Sequence, residues 1–322
     1  GGTVFLIKKL IDNFANGQKS RSTSERFSMA SCIKIKPYRY EKSLPRAATL
    51  LRTLKGKYSF EIVFSTKSDA SIFLLSEDDD FVSLKKRVAS IYPEVLLSDC
   101  DCNTLYTELG EYCILTAKLK RSSVFPINTN FSVDPFNVLF TSLRGQSITV
   151  AYQVAFEPSP KSGEKIIAAG EAMMKGKVVG WLNPRIVEAT QLEKEVARLV
   201  ILKGRDVLFR TEMRFGIFDW GEKEKEEVEI ITRNLQQYLQ LFMNPTANQG
   251  FKIKKSRSKR VLKDFLARKV SRSSFVLSAE ELSYLAHFPG EEVHAPNVDW
   301  LMTRADVSAP IERSVRWATK VI

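Results

Sequence analysis

A chain of 322 residues with 44% hydrophobic and 27% charged side chains is long enough for two domains of ordinary size and has the composition of a folded protein. The net charge of +12 points to a polyanionic partner, a nucleic acid or an anionic membrane face. No apolar run reaches the roughly 18 to 20 residues that a bilayer span needs, which excludes a transmembrane helix within the sequence.

At the N-terminus, "VFLIKKLI" (residues 4–11) is short and broken by Lys8 and Lys9. It reads either as an amphipathic, membrane-proximal segment or as an ordinary helix start. Gly1-Gly2 without a methionine predicts further chain upstream. A basic, polar arm is expected over residues 1–30. "SCIKIKPYRY" then alternates Ile33 and Ile35 with Lys34 and Lys36 at the strand period until Pro37. "PRAATLLRTLKG" predicts a one-sided helix with Pro45 in its first turn and Gly56 as its stop. "KYSFEIVFST" and "ASIFLLS" form a predicted hairpin across a polar turn. "DFVSLKKRVASIYPEV" has a helical stripe of Phe81, Leu84, Val88 and Ile91 behind the acids at 77–80, whose place at a helix start explains them without a metal. "LYTELGEYCILTAKLKR" reads as a long strand that closes a ferredoxin-like outline.

The plan partly recurs. "DPFNVLFTSLRG" predicts a helix and "QSITVAYQVAFEPSP" a strand. An insertion rich in Ala, Met and charge fills residues 163–203. "DVLFRTEMRFGIFDW" follows as a strand, and "EKEKEEVEIITRNLQQYLQLFMN" as a helix with Val228, Ile231, Leu235, Leu239 and Phe242 on one face. "GFKIKKS" reads as the last strand. The fold class expected is α+β, with two ferredoxin-like halves, a helical insertion and a C-terminal helical segment. The first domain spans 31–145, the second 146–256, and a basic helix with a linker occupies 257–322. Within that last part, "VLSAEELSYLAHFPG" carries a capping box of Ser278 and Glu281, a staple of Leu277 on Leu282, and a Pro289-Gly290 stop. His287, one of two histidines in the chain, falls in the last turn, where the helix dipole accounts for it without chemistry.

Catalytic signatures are missing from the sequence. No stretch fits G-x-x-x-x-G-K-[ST], and the irregular glycines of "GEAMMKGKVVG" do not make a phosphate turn. The four cysteines, Cys32, Cys100, Cys102 and Cys113, read as reduced thiols of a cytosolic protein, and "CDC" lacks paired zinc-ligand spacing. No catalytic residue, metal or cofactor is therefore expected. Phe215, Phe218 and Trp220 are candidates for base stacking, but alternate strand positions more often face a core. The charge itself is concentrated. "FKIKKSRSKRVLKDFLARKVSRSSF" (251–275) sets Lys252, Lys254, Lys255, Arg257, Lys259, Arg260, Lys263, Arg268, Lys269 and Arg272 against a single acid, Asp264. Such density suits a phosphate backbone, with Lys254, Lys255, Arg257, Lys259 and Arg260 as the strongest candidates for contact.

The ordered blocks "IKIKPYRYEKSLPRAATLLRTLKGKYSFEIVFS", "RVASIYPEV", "YTELGEY", "FPINTNFSVDPFNVLFTSLRG", "ITVAYQVAFEPSP" and "FVLSAEELSYLAHFPGEEVHAPNVDWL" resemble the pre-motor region of archaeal and bacterial type IV secretion conjugative DNA-transfer proteins with HerA/FtsK-like ATPases. The resemblance covers residues 31–301. It implies a module without Walker motifs of its own, so that the motor lies downstream or in a separate ATPase. It also implies DNA and that ATPase as partners, a homo-oligomer encoded by a plasmid or other mobile element, and a cytoplasmic location at the membrane face with anchoring by an upstream segment. The alternative expectation is a structural, self-assembling plasmid or viral protein that never contacts DNA.

Overall fold

A computed structural model describes residues 29, 31–65, 69–77, 81–101, 105–106, 110–179, 185–271 and 274–302. The expected arm before residue 29, the chain from 303 onward, Asp78–Asp80, Cys102 and Arg272 lie outside the described residues.

One antiparallel sheet of nine strands carries two successive βαββαβ units. The first runs β1 (Ser31–Lys36), α1 (Leu44–Thr53), β2 (Tyr58–Phe64), β3 (Ser71–Ser76), α2 (Phe81–Ile91) and β4 (Leu96–Asp99). The second begins with β5 (Glu111–Leu119), α3 (Pro135–Ser142) and β6 (Thr149–Pro158). An insertion of α4 (Ser162–Lys175), the small hairpin β7 (Lys177–Val179) and β8 (Arg185–Val187), and α5 (Gln191–Arg205) follows. The unit closes with β9 (Leu208–Trp220), α6 (Lys225–Gln240) and β10 (Phe251–Ser256). The spatial order β10-β5-β9-β6-β2-β3-β1-β4 is the ferredoxin-like order 4-1-3-2 met twice, the second time reversed. The units join through their second strands, β2 and β6, in register from Tyr58↔Phe156 to Phe64↔Val150.

The α+β class and the paired ferredoxin-like halves are therefore present, but the boundary between them moves. The strand containing "EYCILTAKL" opens the second unit rather than closing the first, and the first ends with the four residues "LLSD" of β4. That strand lies at an open edge with Leu96, Ser98 and Asp99 exposed, and it is too short to give a periodic signal. The insertion lands where expected, between "QSITVAYQVAFEPSP" and "DVLFRTEMRFGIFDW", which the shifted boundary makes the second and third strands of the second unit.

Alternation on the central strands creates the core. Tyr58, Phe60, Ile62 and Phe64 of β2 turn to the face covered by α1, α2, α3 and α6, and they meet one continuous apolar cluster. Phe136 of α3 stacks on Phe60 at 6.2 Å and meets Tyr152 edge-on at 6.0 Å. Asp134 caps α3 by accepting from Phe136 N at 2.8 Å, with Pro135 opening the helix.

Residues 275–301 are not a linker. β11 (Phe275–Ser278) pairs with the start of β9. The short α8 (Ala279–Ser283) and the chain after it then bury Leu282, Leu285, Phe288, Val293 and Val298 in the main core. The capping box forms as expected: Ser278 Oγ accepts from Glu281 N at 3.1 Å, and Glu281 accepts from Ser278 N at 2.8 Å. The same carboxylate accepts from Ile127 N at 2.8 Å and pairs with the buried Lys203 ammonium at 2.9 Å, so one cap ties three distant segments together. Burial pushes the Lys203 ammonium down, and the Glu281 charge opposes that shift. Gly290 passes so close to the neighbouring chain that a Cβ there would lie 2.1 Å from the Glu41 carbonyl oxygen. The glycine of "HFPG" thus serves backbone approach and not the expected helix stop, because α8 ends at Ser283 and leaves His287 beyond its last turn.

One expectation fails outright. Cys32 and Cys100 are disulfide-bonded across a sequence separation of 68, and only Cys113 is a free, buried thiol among the described residues. The β1·β4 pairing brings the two cysteines together, with Cys100 N donating to Cys32 O at 3.1 Å, and no local spacing reveals that contact. A bond closing so long a loop restricts the unfolded chain, and removing it costs up to about 4 kcal/mol on the chain-entropy model. Cys32→Ser is expected to lower the unfolding free energy in urea titrations. Dithiothreitol should destabilise the unmodified protein alike and leave the variant unchanged.

Candidate nucleic-acid interface

The basic segment begins as the edge strand β10 and continues into α7 (Lys259–Leu266) on the sheet face opposite the main core. Ser258 caps α7 by accepting from Val261 N at 3.3 Å. Leu262 and Phe265, three residues apart, share one stripe and are buried against Tyr112, Ile114, Ala151 and Phe218. Gly216 lies beneath them. A Cβ on it would sit 2.3 Å from the Phe218 ring and 3.1 Å from that of Phe265. The polar stripe of α7, with Lys259, Arg260 and Lys263, remains exposed.

The helix docks beside a row of side chains that crosses the sheet. Register places Lys34, Phe73, Glu61, Gln153, Arg214, Thr116 and Lys254 side by side on seven successive strands. At its centre, the buried Glu61 carboxylate accepts from Ser59 Oγ at 2.8 Å, Tyr106 Oη at 2.8 Å, Gln153 Nε2 at 3.0 Å and Arg268 Nε at 2.9 Å. Gln153 also donates to Phe265 O at 3.0 Å and accepts from Arg214 at 3.1 Å, while Arg214 donates to Lys269 O at 2.5 Å. Ser271 Oγ donates to Glu212 at 2.8 Å, and Lys118 pairs with the same carboxylate at 2.6 Å. Burial lowers the Arg214 guanidinium against the pull of Glu212, Asp264 and Glu61, and burial followed by the Glu61 charge holds the Tyr106 phenol well above its usual range. At the centre of the row Glu61, Arg214, Arg268 and Glu212 are buried and paired, so this part of it anchors the helix and offers no reaction centre.

The ten candidate cations consequently divide. Arg268 is a correction: its side chain turns inward, 7% exposed, onto Glu61, with its backbone at φ 48. It positions the segment and is turned away from solvent. Lys255 faces the other side of the sheet and pairs with Glu229, and Lys269 lies 3.3 Å from Asp264. Arg257 lies over the Trp220 ring at 4.7 Å and stays exposed. Lys252, Lys254, Lys259 and Arg260 are exposed along the strand edge and the first turn of the helix. Of the stacking candidates, Phe215 and Phe218 are wholly buried, and Trp220 is 5% exposed beneath Arg257.

Register adds cations that sequence order hides. Lys118 of β5 lies directly across from Lys252, and Lys120 follows one turn of the pleat later. The run "KLKR" was visible at the end of its strand, but only the pairing of β5 with β10 places it beside the basic segment. Lys120 and Lys252 flank a groove of about 270 Å³ between α6 and β10, with Gln236, Gln240, Phe251 and Ile253 also in its lining.

The histidine that ends "AEELSYLAH" is closed to substrate. His287 stacks on Phe136 at 4.0 Å, with Nε2 at 2.9 Å from Asp134 Oδ2 and Nδ1 at 2.9 Å from Ser283 O. Both ring nitrogens have partners inside the core, and at 1% exposure the Asp134–His287 pair is a core device. No group of His, Cys, Asp and Glu among the described residues could hold a metal ion, and no described helix is long and apolar enough to cross a membrane.

Comparison with known proteins identifies the family. Residues 16–301 match the model described as Domain of unknown function (DUF8128), and the chain belongs to that family. No curated protein matches it. Among solved structures, a heme-binding protein from Thermus thermophilus is similar at 10% identity over 74% of this chain and 95% of that one, with a TM-score of 0.17, which carries no argument about fold or ligand.

Removing one side of the buried row should be costly. Arg268→Ala is expected to destabilise the protein by about 3 to 5 kcal/mol by stranding the Glu61 carboxylate. Glu61→Ala combined with Arg268→Ala should cost less than the two single changes added together, whereas Lys259→Ala should stay within about 0.5 kcal/mol. Urea unfolding of the four variants provides the check.

Proposed function

We propose that this protein is a non-catalytic, DNA-contacting module of a conjugation or DNA-translocation machine, in which the paired plaits act as a rigid platform. The observation that carries the reading is the placement of Lys252, Lys254, Arg257, Lys259 and Arg260 on one exposed ridge formed by β10 and the start of α7. The fold's own energetics oppose that placement. Lys259 and Arg260 occupy the first turn of a helix, where the dipole disfavours cations by about 0.3 to 1 kcal/mol each. A polyanion offsets that cost, because phosphates meet the side-chain charges and the positive end of the helix together.

An edge strand rich in lysine also discourages sheet-to-sheet aggregation, which accounts for Lys252 and Lys254 but not for the cations of α7. The resemblance in the ordered sequence blocks supplies the machine. It supports a HerA/FtsK-like or type IV secretion ATPase as the partner and a place at the cytoplasmic face of the membrane. The Cys32–Cys100 bond, of a kind rare in a reducing cytosol, gives that location no support of its own.

Binding to a DNA duplex by fluorescence anisotropy across a salt series tests the proposal. Changing Lys252, Lys254, Arg257, Lys259 and Arg260 together to Gln should weaken binding at low salt and reduce the slope of log K against log salt by about 4. An unmodified protein that does not bind, or a variant with the same affinity and slope, contradicts it.

A further inference from the structure

We propose that the helical insertion is a self-association arm, with α5 of one copy packing antiparallel against α5 of a second copy across a two-fold axis. The inner faces of α4 and α5 are already committed to each other. A Cβ on Gly170 would meet Ile201 at 2.6 Å, and one on Gly204 would meet Ile167 at 2.7 Å, so the two helices approach as closely as glycine permits. Ala197, Val200 and Gly204 line that buried contact.

The opposite face of α5 carries Leu192, Glu195, Leu199 and Leu202, spaced by three, four and three residues as in a coiled-coil seam. Leu192 is 58% and Leu202 62% exposed, and Leu199 is half-buried. Val187 at 53% and Val207 at 40% extend the apolar exposure at either end of the helix. Scattered exposed leucines are ordinary, but a seam at heptad spacing on an inserted arm is a contact surface without a partner among the described residues.

Charge identifies the occupant. Glu195 sits within the seam and Arg198 beside it, so the stripe carries both signs close together. Antiparallel self-pairing centred near Ala197 sets Leu192 beside Leu202 of the second copy and brings each Glu195 to the other copy's Arg198. Both contacts then form twice, as an isologous interface requires. The opposed helix dipoles favour the same orientation. A carboxylate in the middle of the seam disfavours an anionic membrane surface.

Light scattering over a concentration series, with circular dichroism to confirm folding, tests the arm. The unmodified protein should give the mass of two chains at high concentration and of one chain on dilution. Leu192→Asp combined with Leu202→Asp should give one chain throughout with unchanged helix content. Glu195→Arg should raise the dimer dissociation constant by roughly tenfold, and adding Arg198→Glu should restore it. A single-chain mass for the unmodified protein at every concentration overturns the proposal, as does a dimer that survives the double aspartate change. Because DNA binding is not read in this experiment, its failure leaves the function proposed above untouched.

Discussion

The buried carboxylate of Glu61 is the constraint on which the second face of the sheet depends. It lies on β2, at the seam where the two plaits join, and its register partner across that seam is Gln153 of β6. It also holds Arg268, which follows the basic helix. One charge therefore links the strand pair that unites the halves to the segment that displays the cations. Removing a carboxylate from water costs several kcal/mol, and only the convergence of Ser59, Tyr106, Gln153 and Arg268 makes the position tolerable. Such a group specifies geometry more than it adds stability. It selects the one way of laying α7 on the sheet that satisfies every donor.

The reversed repeat of the ferredoxin-like order has a mechanical consequence. With β2 and β6 paired along their length, the halves share one sheet and one continuous core instead of a flexible linker. Residues 275–301 reinforce this by running back from β9 across the helical face to the first unit, where Leu301 N donates to Pro37 O at 2.9 Å. A platform of this kind can hold the cation ridge and the inserted arm at fixed positions. Binding surfaces borne on rigid elements lose less entropy on association than loops do.

Much of the fold was legible because its signals are local. Alternation in "YSFEIVF", the helical stripe of "EEVEIITRNLQQYLQL", the Ser278–Glu281 box and the insertion between 163 and 203 each depend on residues close in sequence, and each appears where expected. What stayed hidden depends on pairing between distant segments. β4 and β11, at four residues each, are too short for periodicity to show. The Cys32–Cys100 bond is a product of strand order. Arg268 looked like its neighbours in a basic run, because nothing nearby reveals a carboxylate 207 positions away. The same long-range packing divided the ten cations into anchors and exposed groups, so composition located the ridge but not its members.

The most direct test of this account is hydrogen exchange in Glu61→Gln. Gln retains the shape of the side chain and removes the charge that Arg268 pairs with. If that charge anchors the basic helix, amides of residues 259–271 should exchange much faster in the variant while those of β2, β6 and β9 stay protected. Unchanged protection across 259–271 would contradict the claim that Glu61 sets the position of the cation ridge.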